Sequence, residues 1–312
     1  MTSLDIGARG GTAQAVFWSL VATLLFSLMF SLPKFAGALA DPFQATWMRY
    51  TGGAVVLAMI VLARAASAAR IRDGKARTII RIQPGVMLGL HILRAACGIG
   101  SVACAVYAVS AIPLATANAI ALTNGAFVLL FAGVFLGERL TPIVVFAGAL
   151  SLLGGVIAAE PDIAHPAQFF STGAIVAFAG AMFWGCETTL LKYTAMRDHP
   201  TSILMVVNCS AALMTLIPAM VFWREMPLEI MAIYGLMGPL AIAGQFSNIR
   251  AYKLAHASIL VPVKYVGIIY AAIIGIVFFD ETPSLALAVG ATLIVIGGGL
   301  SMQASRAAER AT

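Results

Sequence analysis

Charge is what this chain has least of. Only 10% of its 312 residues are charged, while 61% are hydrophobic and the mean hydropathy is +0.96. A water-soluble domain of this length needs far more polar surface, so soluble enzymes and soluble binding modules are excluded. Cysteine is scarce as well. Cys97, Cys104, Cys186 and Cys209 all fall inside apolar runs without ligand spacing. They make neither a disulfide framework nor a metal site, and read as small buried side chains. The chain has no Gly-x-x-x-x-Gly-Lys-Ser/Thr stretch, so it does not hydrolyse ATP itself. Carboxylates and histidines do not cluster in the apolar runs, and His165, His199 and His256 are scattered between them. That argues against an integral membrane enzyme, which needs such groups close together, and no cofactor or metal is expected. No ring of like charges marks a channel.

What the chain has is long apolar runs. Ten are legible: 14–33, 44–63, 85–108, 114–136, 141–159, 172–192, 201–223, 230–252, 257–279 and 284–303. Each is close to the ~20 residues that a helix needs to cross a hydrocarbon core of roughly 30 Å. An all-α membrane protein of ten transmembrane helices follows, with loops too short for a soluble domain.

The net charge of +6 raises the question of nucleic acid, but its distribution points elsewhere. The longest basic stretch, Arg64, Arg70, Arg72, Lys75, Arg77 and Arg81, lies between two spans and reads as a cytoplasmic loop. Both termini are then cytoplasmic, as an even number of spans requires. Arg139, Lys192, Arg197 and Lys253 also fall inside, and Asp41, Glu160, Asp162, Glu225, Glu229, Asp280 and Glu281 outside, where the only bases are Lys34 and Arg224. No nucleic-acid partner is expected; the partners are the bilayer and a small solute. Ala38-Leu39-Ala40 imitates a signal-peptidase site, but Phe26–Lys34 recurs at Trp184–Lys192, and cleavage would destroy that repeat.

The repetition extends to the whole chain. Leu114–Glu138 ends in Gly-Glu-Arg-Leu-Thr-Pro, and Leu254–Glu281 ends in Asp-Glu-Thr-Pro. The apolar segment after each carries a lone glycine, Gly148 or Gly290, and closes on a glycine cluster, Gly154-Gly155 or Gly297-Gly298-Gly299. The expected organisation is a tail at 1–13, a first five-helix repeat at 14–159, a linker at 160–171, a second repeat at 172–303 and a tail at 304–312. Five is odd, so the second repeat enters the membrane from the opposite side, and the halves are inverted about an axis in the membrane plane. Inverted halves around one site suit a secondary carrier working by alternating access.

Arg49, the Tyr107–Ala119 stretch, Gly137-Glu138-Arg139-Leu140-Thr141, Gly244-Gln245, Pro262-Val263-Lys264-Tyr265 and Phe279-Asp280-Glu281-Thr282-Pro283 together resemble the drug/metabolite transporter superfamily, of the EamA type. The resemblance runs from about 14 to 303. It implies a ten-helix carrier whose cavity is lined by spans one to four and six to nine, with spans five and ten as peripheral packing helices. It also implies export of amino acids or related aromatic or carboxylated compounds. The alternative is uptake of a vitamin or nucleoside-like cofactor of the riboflavin or S-adenosylmethionine type. The short chain and short loops point to a prokaryotic inner membrane, with an organelle membrane as the alternative. Many relatives carry Pro where this chain reads Thr123-Asn124-Gly125, which leaves the shape of span four open.

Ionisable residues within spans are costly and each needs a reason. Arg94 and Lys264 are deepest; Arg49, Glu187 and Arg250 lie nearer span ends. Arg250 is expected to snorkel to the surface, and Arg49 to clamp a neighbouring helix end. Four bases against one acid suggest that part of this charge awaits an anion, so a carboxylate or phosphate on the solute is expected. Arg94 and Lys264 are the substrate-contact candidates, with a buried partner as the alternative. Trp184 and Tyr265 could stack on a flat ligand, or simply pack. Asn118, Asn124, Gln245 and Asn248 could bind solute or tie helix to helix. Glu187 and His91, the latter one turn before Arg94, are candidates for proton coupling. Glu138 and Glu281 are expected to hold the Thr-Pro turn and the helix start that follows it. Gly133 with Gly137, and Gly85 with Gly89, are expected to let helices pack closely, and leave a homodimer open.

Overall fold

A computed structural model describes residues 4–37, 39–70, 85–136, 142–159, 171–195, 200–254 and 263–311. The basic stretch at 71–84, the Gly137–Thr141 motif and the linker at 160–170 lie outside the described residues. Among those described there are helices and no strands: α1 (Leu4–Phe35), α2 (Pro42–Arg70), α3 (Val86–Ala111), α4 (Leu114–Leu122), α5 (Asn124–Leu136), α6 (Pro142–Ala158), α7 (Thr172–Ala195), α8 (Pro200–Val221), α9 (Leu228–Gly235), α10 (Met237–Leu254), α11 (Val266–Phe279) and α12 (Leu285–Ala311). Six stretches are long and apolar enough to cross a membrane, and four shorter apolar helices complete ten passes. Helices are what such a sequence must form in lipid, where a backbone amide has no water to turn to.

Passes four and eight are each made of two helices, and the sequence gives a cause for each break. Pass four is interrupted at Thr123, within the Thr123-Asn124-Gly125 stretch. The Ile120 carbonyl accepts both the Thr123 N–H at 3.0 Å and the Thr123 hydroxyl at 2.6 Å, which tightens one turn before α5 resumes the path. Pass eight is interrupted at Leu236, whose N–H is shared between the carbonyls of Ala232 and Ile233. Pro239 has no N–H to offer the Gly235 carbonyl one turn back, so the ladder is already short of a donor there.

The packing repeats as the sequence does. α3 lies along α7, and its counterpart α10 lies along α1. α2 packs on α8, α4 on α11, and α6 on α12. Exchanging the halves maps each of these contacts onto another or onto itself, as a two-fold relation requires. Passes five and ten therefore form one pair. On the register that aligns Glu138 with Glu281, Gly154 aligns with Gly297 and Ala147 with Gly290. A Cβ on Gly154 would lie 2.6 Å from the Gly290 carbonyl oxygen, and a Cβ on Gly297 would lie 2.6 Å from the Ala147 carbonyl oxygen. The two contacts are images of each other. Their backbones touch, so small residues are obligatory there. Gly85 and Gly89 do otherwise than expected: nothing lies within 4 Å of a Cβ on either, so they do not mediate close packing within the chain.

Valine at Gly290 would push against backbone, which cannot swing away. We expect Gly290→Val to lower the melting temperature of the detergent-solubilised protein, at a cost of at least ~1–3 kcal/mol. Gly299→Val, where nothing lies within 4 Å of the added Cβ, should leave it nearly unchanged.

Candidate functional site

Among the described residues, two ion-paired clusters interrupt the apolar bundle, and each joins the first half to the second. One lies at the end of the bundle where α1 and α11 terminate. α11 closes on Asp280, whose backbone is left-handed at φ 51°, a conformation that Asp tolerates better than most residues. The Glu281 N–H then returns to the Gly275 carbonyl at 3.1 Å, which turns the Glu281 side chain back into the bundle. Its carboxylate pairs with the Lys34 ammonium of α1 and accepts the Leu114 N–H on both oxygens, at 3.0 and 2.9 Å. Leu114 opens α4, so the carboxylate meets free N–H groups and the positive end of a helix dipole. Lys34 also lies 5.1 Å from the centre of the Phe279 ring, while Phe35 packs on Phe278 and Phe279.

This corrects one expectation. Glu281 does hold a helix start, but that of α4 in the other half and not that of the helix following it. The following helix, α12, is capped by Ser284, whose hydroxyl accepts the Leu287 N–H at 3.0 Å. The geometry lets three elements share one carboxylate. Its repeat counterpart, Glu138, lies outside the described residues.

The second cluster sits within the bundle, where α2 and α3 of the first half meet α7 of the second. Arg94 of α3 donates from Nε to Glu187 Oε1 at 2.9 Å, and its Nη2 lies 2.8 Å from the same oxygen. The Arg94 side chain is 3% exposed and that of Glu187 19%, so the acid is the accessible member of the pair. Gly98, one turn further along α3, leaves room for a neighbour: a Cβ there would lie 2.5 Å from the Tyr50 hydroxyl and 3.9 Å from Glu187 Cγ. Tyr50 thus reaches from α2 to the ion pair, and it lies in the field of Arg49, Glu187 and Arg94.

Arg49 lies over the Tyr50 ring, its guanidinium carbon 4.1 Å from the ring centre. The residue is 6% exposed, and its Nε and Nη1 have no hydrogen-bond partner; nor does Nη1 of Arg94. Arg49 is therefore not clamping a helix end through those atoms, as the sequence suggested. Tyr50 is the residue of this cluster that sequence reasoning passed over; the available signals were its place within a span and its adjacency to Arg49. Cys97 and Cys186 flank the pair with sulfurs 3.4 Å apart, both as free thiols.

The remaining candidates distribute around this centre. His91 is buried on α3, one turn before Arg94. Trp184 is half-buried on α7, one turn before Glu187. Asn118 stands where passes one, four and nine meet: a Cβ on Gly267 of α11 would lie 3.5 Å from its Oδ1 and 3.2 Å from Thr23 Cγ2 of α1. Asn124 opens α5 just after the break, and its carbonyl faces Gly185 of α7. Gln245 and Asn248 are half-buried on α10, next to Gly244, which the Phe26 ring covers. Lys264 is half-buried beside the turn at Tyr265, close to the repeat counterpart of the break at Thr123. Tyr265 faces elsewhere. Its hydroxyl lies against Gly298 of α12, in a packing cluster with Ile268 and Ile294. Arg250 is exposed and lies over the Trp18 ring at 4.5 Å, consistent with a head group drawn to the surface. No group of three or more His, Cys, Asp or Glu among the described residues could hold a metal ion.

An all-helical bundle of ten apolar passes in two inverted halves, with a buried ion pair across the seam, defines a multi-pass membrane carrier. The chain belongs to the EamA-like transporter family, whose model matches residues 13–159 and 171–302. It is 27% identical over 287 residues to the pseudopaline exporter CntI of Pseudomonas aeruginosa, covering 91% of this chain and 94% of that one. It is 27% identical over 213 residues to a riboflavin transporter of Brucella anthropi, covering 66% and 74%. It is 22% identical over 278 residues to an S-adenosylmethionine uptake transporter of Rickettsia bellii, covering 89% of each. A solved crystal structure superposes with a TM-score of 0.62 at 22% identity, covering 94% of this chain and 97% of that one, and supports the fold. The protein is a transporter of small molecules.

The two contacts of Glu281 rank its removal against that of its partner. Glu281→Gln loses the charge that both Lys34 and the α4 amide face, whereas Lys34→Met leaves the amide bonds in place. We expect Glu281→Gln to lower the melting temperature more than Lys34→Met. The difference should be about 1–2 kcal/mol, the worth of a charge-assisted hydrogen bond over a neutral one. Equal shifts would mean that the helix-start contact contributes nothing.

Proposed function

We propose that this chain is a secondary carrier that exports amino acids or related aromatic or carboxylated metabolites across a bacterial inner membrane by alternating access. It is not an enzyme in this reading. Both termini lie in the cytoplasm, so the Lys34–Glu281 cluster lies at the outer face and Arg250 at the inner face. The tails at 1–13 and 304–312 and the linker at 160–171 flank two working repeats, at 14–159 and 172–303. Arg94, Lys264, Trp184, Asn118, Asn124, Gln245 and Asn248 face the path of the solute. Tyr265 supports the turn beside Lys264, and Glu187 with His91 are the groups available to carry a proton. No nucleic acid takes part, and a homodimer is compatible with the exposed face around Gly85 and Gly89.

The observation that carries this reading is the cationic cluster at the seam. Two arginines and one glutamate leave a positive excess within an apolar bundle, and such an excess favours an acidic cargo. The relatives support a small organic solute and differ in direction: the pseudopaline exporter carries its compound out, and the S-adenosylmethionine transporter takes its compound in.

The test is flux in cells that express the chain. Preloaded with labelled L-phenylalanine, L-histidine or indole-3-acetate, they should lose at least one label faster than control cells. Lys264→Gln should slow that loss. Faster uptake of labelled riboflavin or S-adenosylmethionine, with unchanged loss of the three acids, would replace export by the uptake reading.

A further inference from the structure

We infer that Arg49 and Arg94 form a carboxylate-binding subsite, and that Glu187 is its resident occupant, displaced when cargo binds. The inference rests on the reading of an acidic cargo above and assigns the atoms that would receive its charge. Four observations meet here. Arg49 is 6% exposed and has two buried guanidinium nitrogens without a hydrogen-bond partner. A buried guanidinium left in this state is destabilising, so the position is suited to an anion supplied from elsewhere. Arg94 keeps a third such nitrogen, Nη1, even while Nε and Nη2 engage Glu187. Both of those contacts fall on a single oxygen of Glu187, so the pair is not the two-oxygen fork that a guanidinium and a carboxylate form at their best. Tyr50 lies under Arg49 and reaches Gly98, one turn from Arg94 on α3, so that it stands in the field of both guanidinium groups.

Glu187 fits the part of a displaceable partner. It belongs to the opposite half from both arginines, so its contact with Arg94 spans the seam along which the halves must rearrange. It is also the more exposed member of the pair, at 19% against 3%. An incoming carboxylate can take the place of Glu187 on Arg94 and satisfy Arg49 as well. The empty carrier keeps Arg94 neutralised by its own acid, and the loaded carrier neutralises it with the cargo. No bond is made or broken; one carboxylate replaces another.

Matched acid and amide pairs test this directly. The purified protein is heated in detergent with L-phenylalanine or L-phenylalaninamide, L-histidine or L-histidinamide, and indole-3-acetate or indole-3-acetamide. Ligand that binds the folded state raises its melting temperature, and titration gives an apparent affinity. Wild type should be stabilised by one or more acids over the matched amide. Arg49→Gln should weaken binding of that acid by about 30-fold or more, as expected when one side of a buried charge pair is removed, and leave the amide unaffected. Arg49→Lys, which keeps the charge, should lie between. Glu187→Gln should bind the same acid about tenfold more tightly, because the competing charged hydrogen bond is gone. A gain of affinity cannot arise from misfolding, so this variant decides the matter even if Arg49→Gln does not fold. Weaker or unchanged acid binding in Glu187→Gln, or undiminished acid preference in a folded Arg49→Gln, would overturn the subsite and leave the carrier reading intact. A wild type that no acid stabilises would overturn the acidic-cargo reading and the subsite together.

Discussion

A charge inside an apolar bundle has few places to go, and this constraint organises the protein. Most of the helix contacts here are between aliphatic side chains, which can slide past one another at little cost in lipid. The Arg94–Glu187 and Lys34–Glu281 pairs cannot slide, because each partner would be left with an unmatched charge. Both pairs join the first half to the second. They hold the halves together at two depths along the seam: one within the bundle, the other where α1, α4 and α11 meet.

The two pairs differ in what surrounds them. Glu281 is held by Lys34, by the Leu114 amide and by the left-handed turn at Asp280, with the Phe35, Phe278 and Phe279 rings beside it. Its environment supplies several compensating contacts, as a structural tie requires. The Arg94–Glu187 pair is less complete: guanidinium nitrogens beside it remain without partners, and its acid is partly exposed. Incomplete satisfaction at the junction of moving halves is a feature suited to a ligand-exchange role, whereas complete satisfaction suits permanence. The contrast separates the two clusters by physical state and not merely by position.

Passes five and ten illustrate how inverted duplication reaches backbone detail. The Gly154–Gly290 contact and the Gly297–Ala147 contact are one arrangement used twice. Because a two-fold axis passes through the pair, a small residue needed at one crossing is needed at the other. The same exchange relates α3 on α7 to α10 on α1, so the wall around the seam is built twice from one pattern. A carrier made this way has two halves of similar packing, between which a modest difference in contact free energy can decide the preferred shape.

Much of this was legible in the chain itself. Span number and helical class follow from the length of the apolar runs, since lipid leaves a single chain few other ways to satisfy its backbone. The inverted relation follows from an odd number of spans per repeat. Arg94 and Glu187 stood out because ionisable residues are rare in spans, but whether Glu187 would meet Arg94 or Lys264 was open until the chain was folded. Other features were open until the chain was folded. Glu281 lies next to its own Thr-Pro turn in sequence yet serves Leu114, because the left-handed Asp280 turns it back toward α4. Tyr265 is adjacent to Lys264 in sequence, yet its hydroxyl lies against Gly298 of α12. Arg49 looked like a helix clamp, and only the folded chain shows its guanidinium lying on the Tyr50 ring. Periodicity, length and charge scarcity are properties of a chain in lipid and can be read one residue at a time. Which carboxylate meets which cation depends on helix rotation and on breaks a few residues long, and those are decided by contacts between segments far apart in sequence.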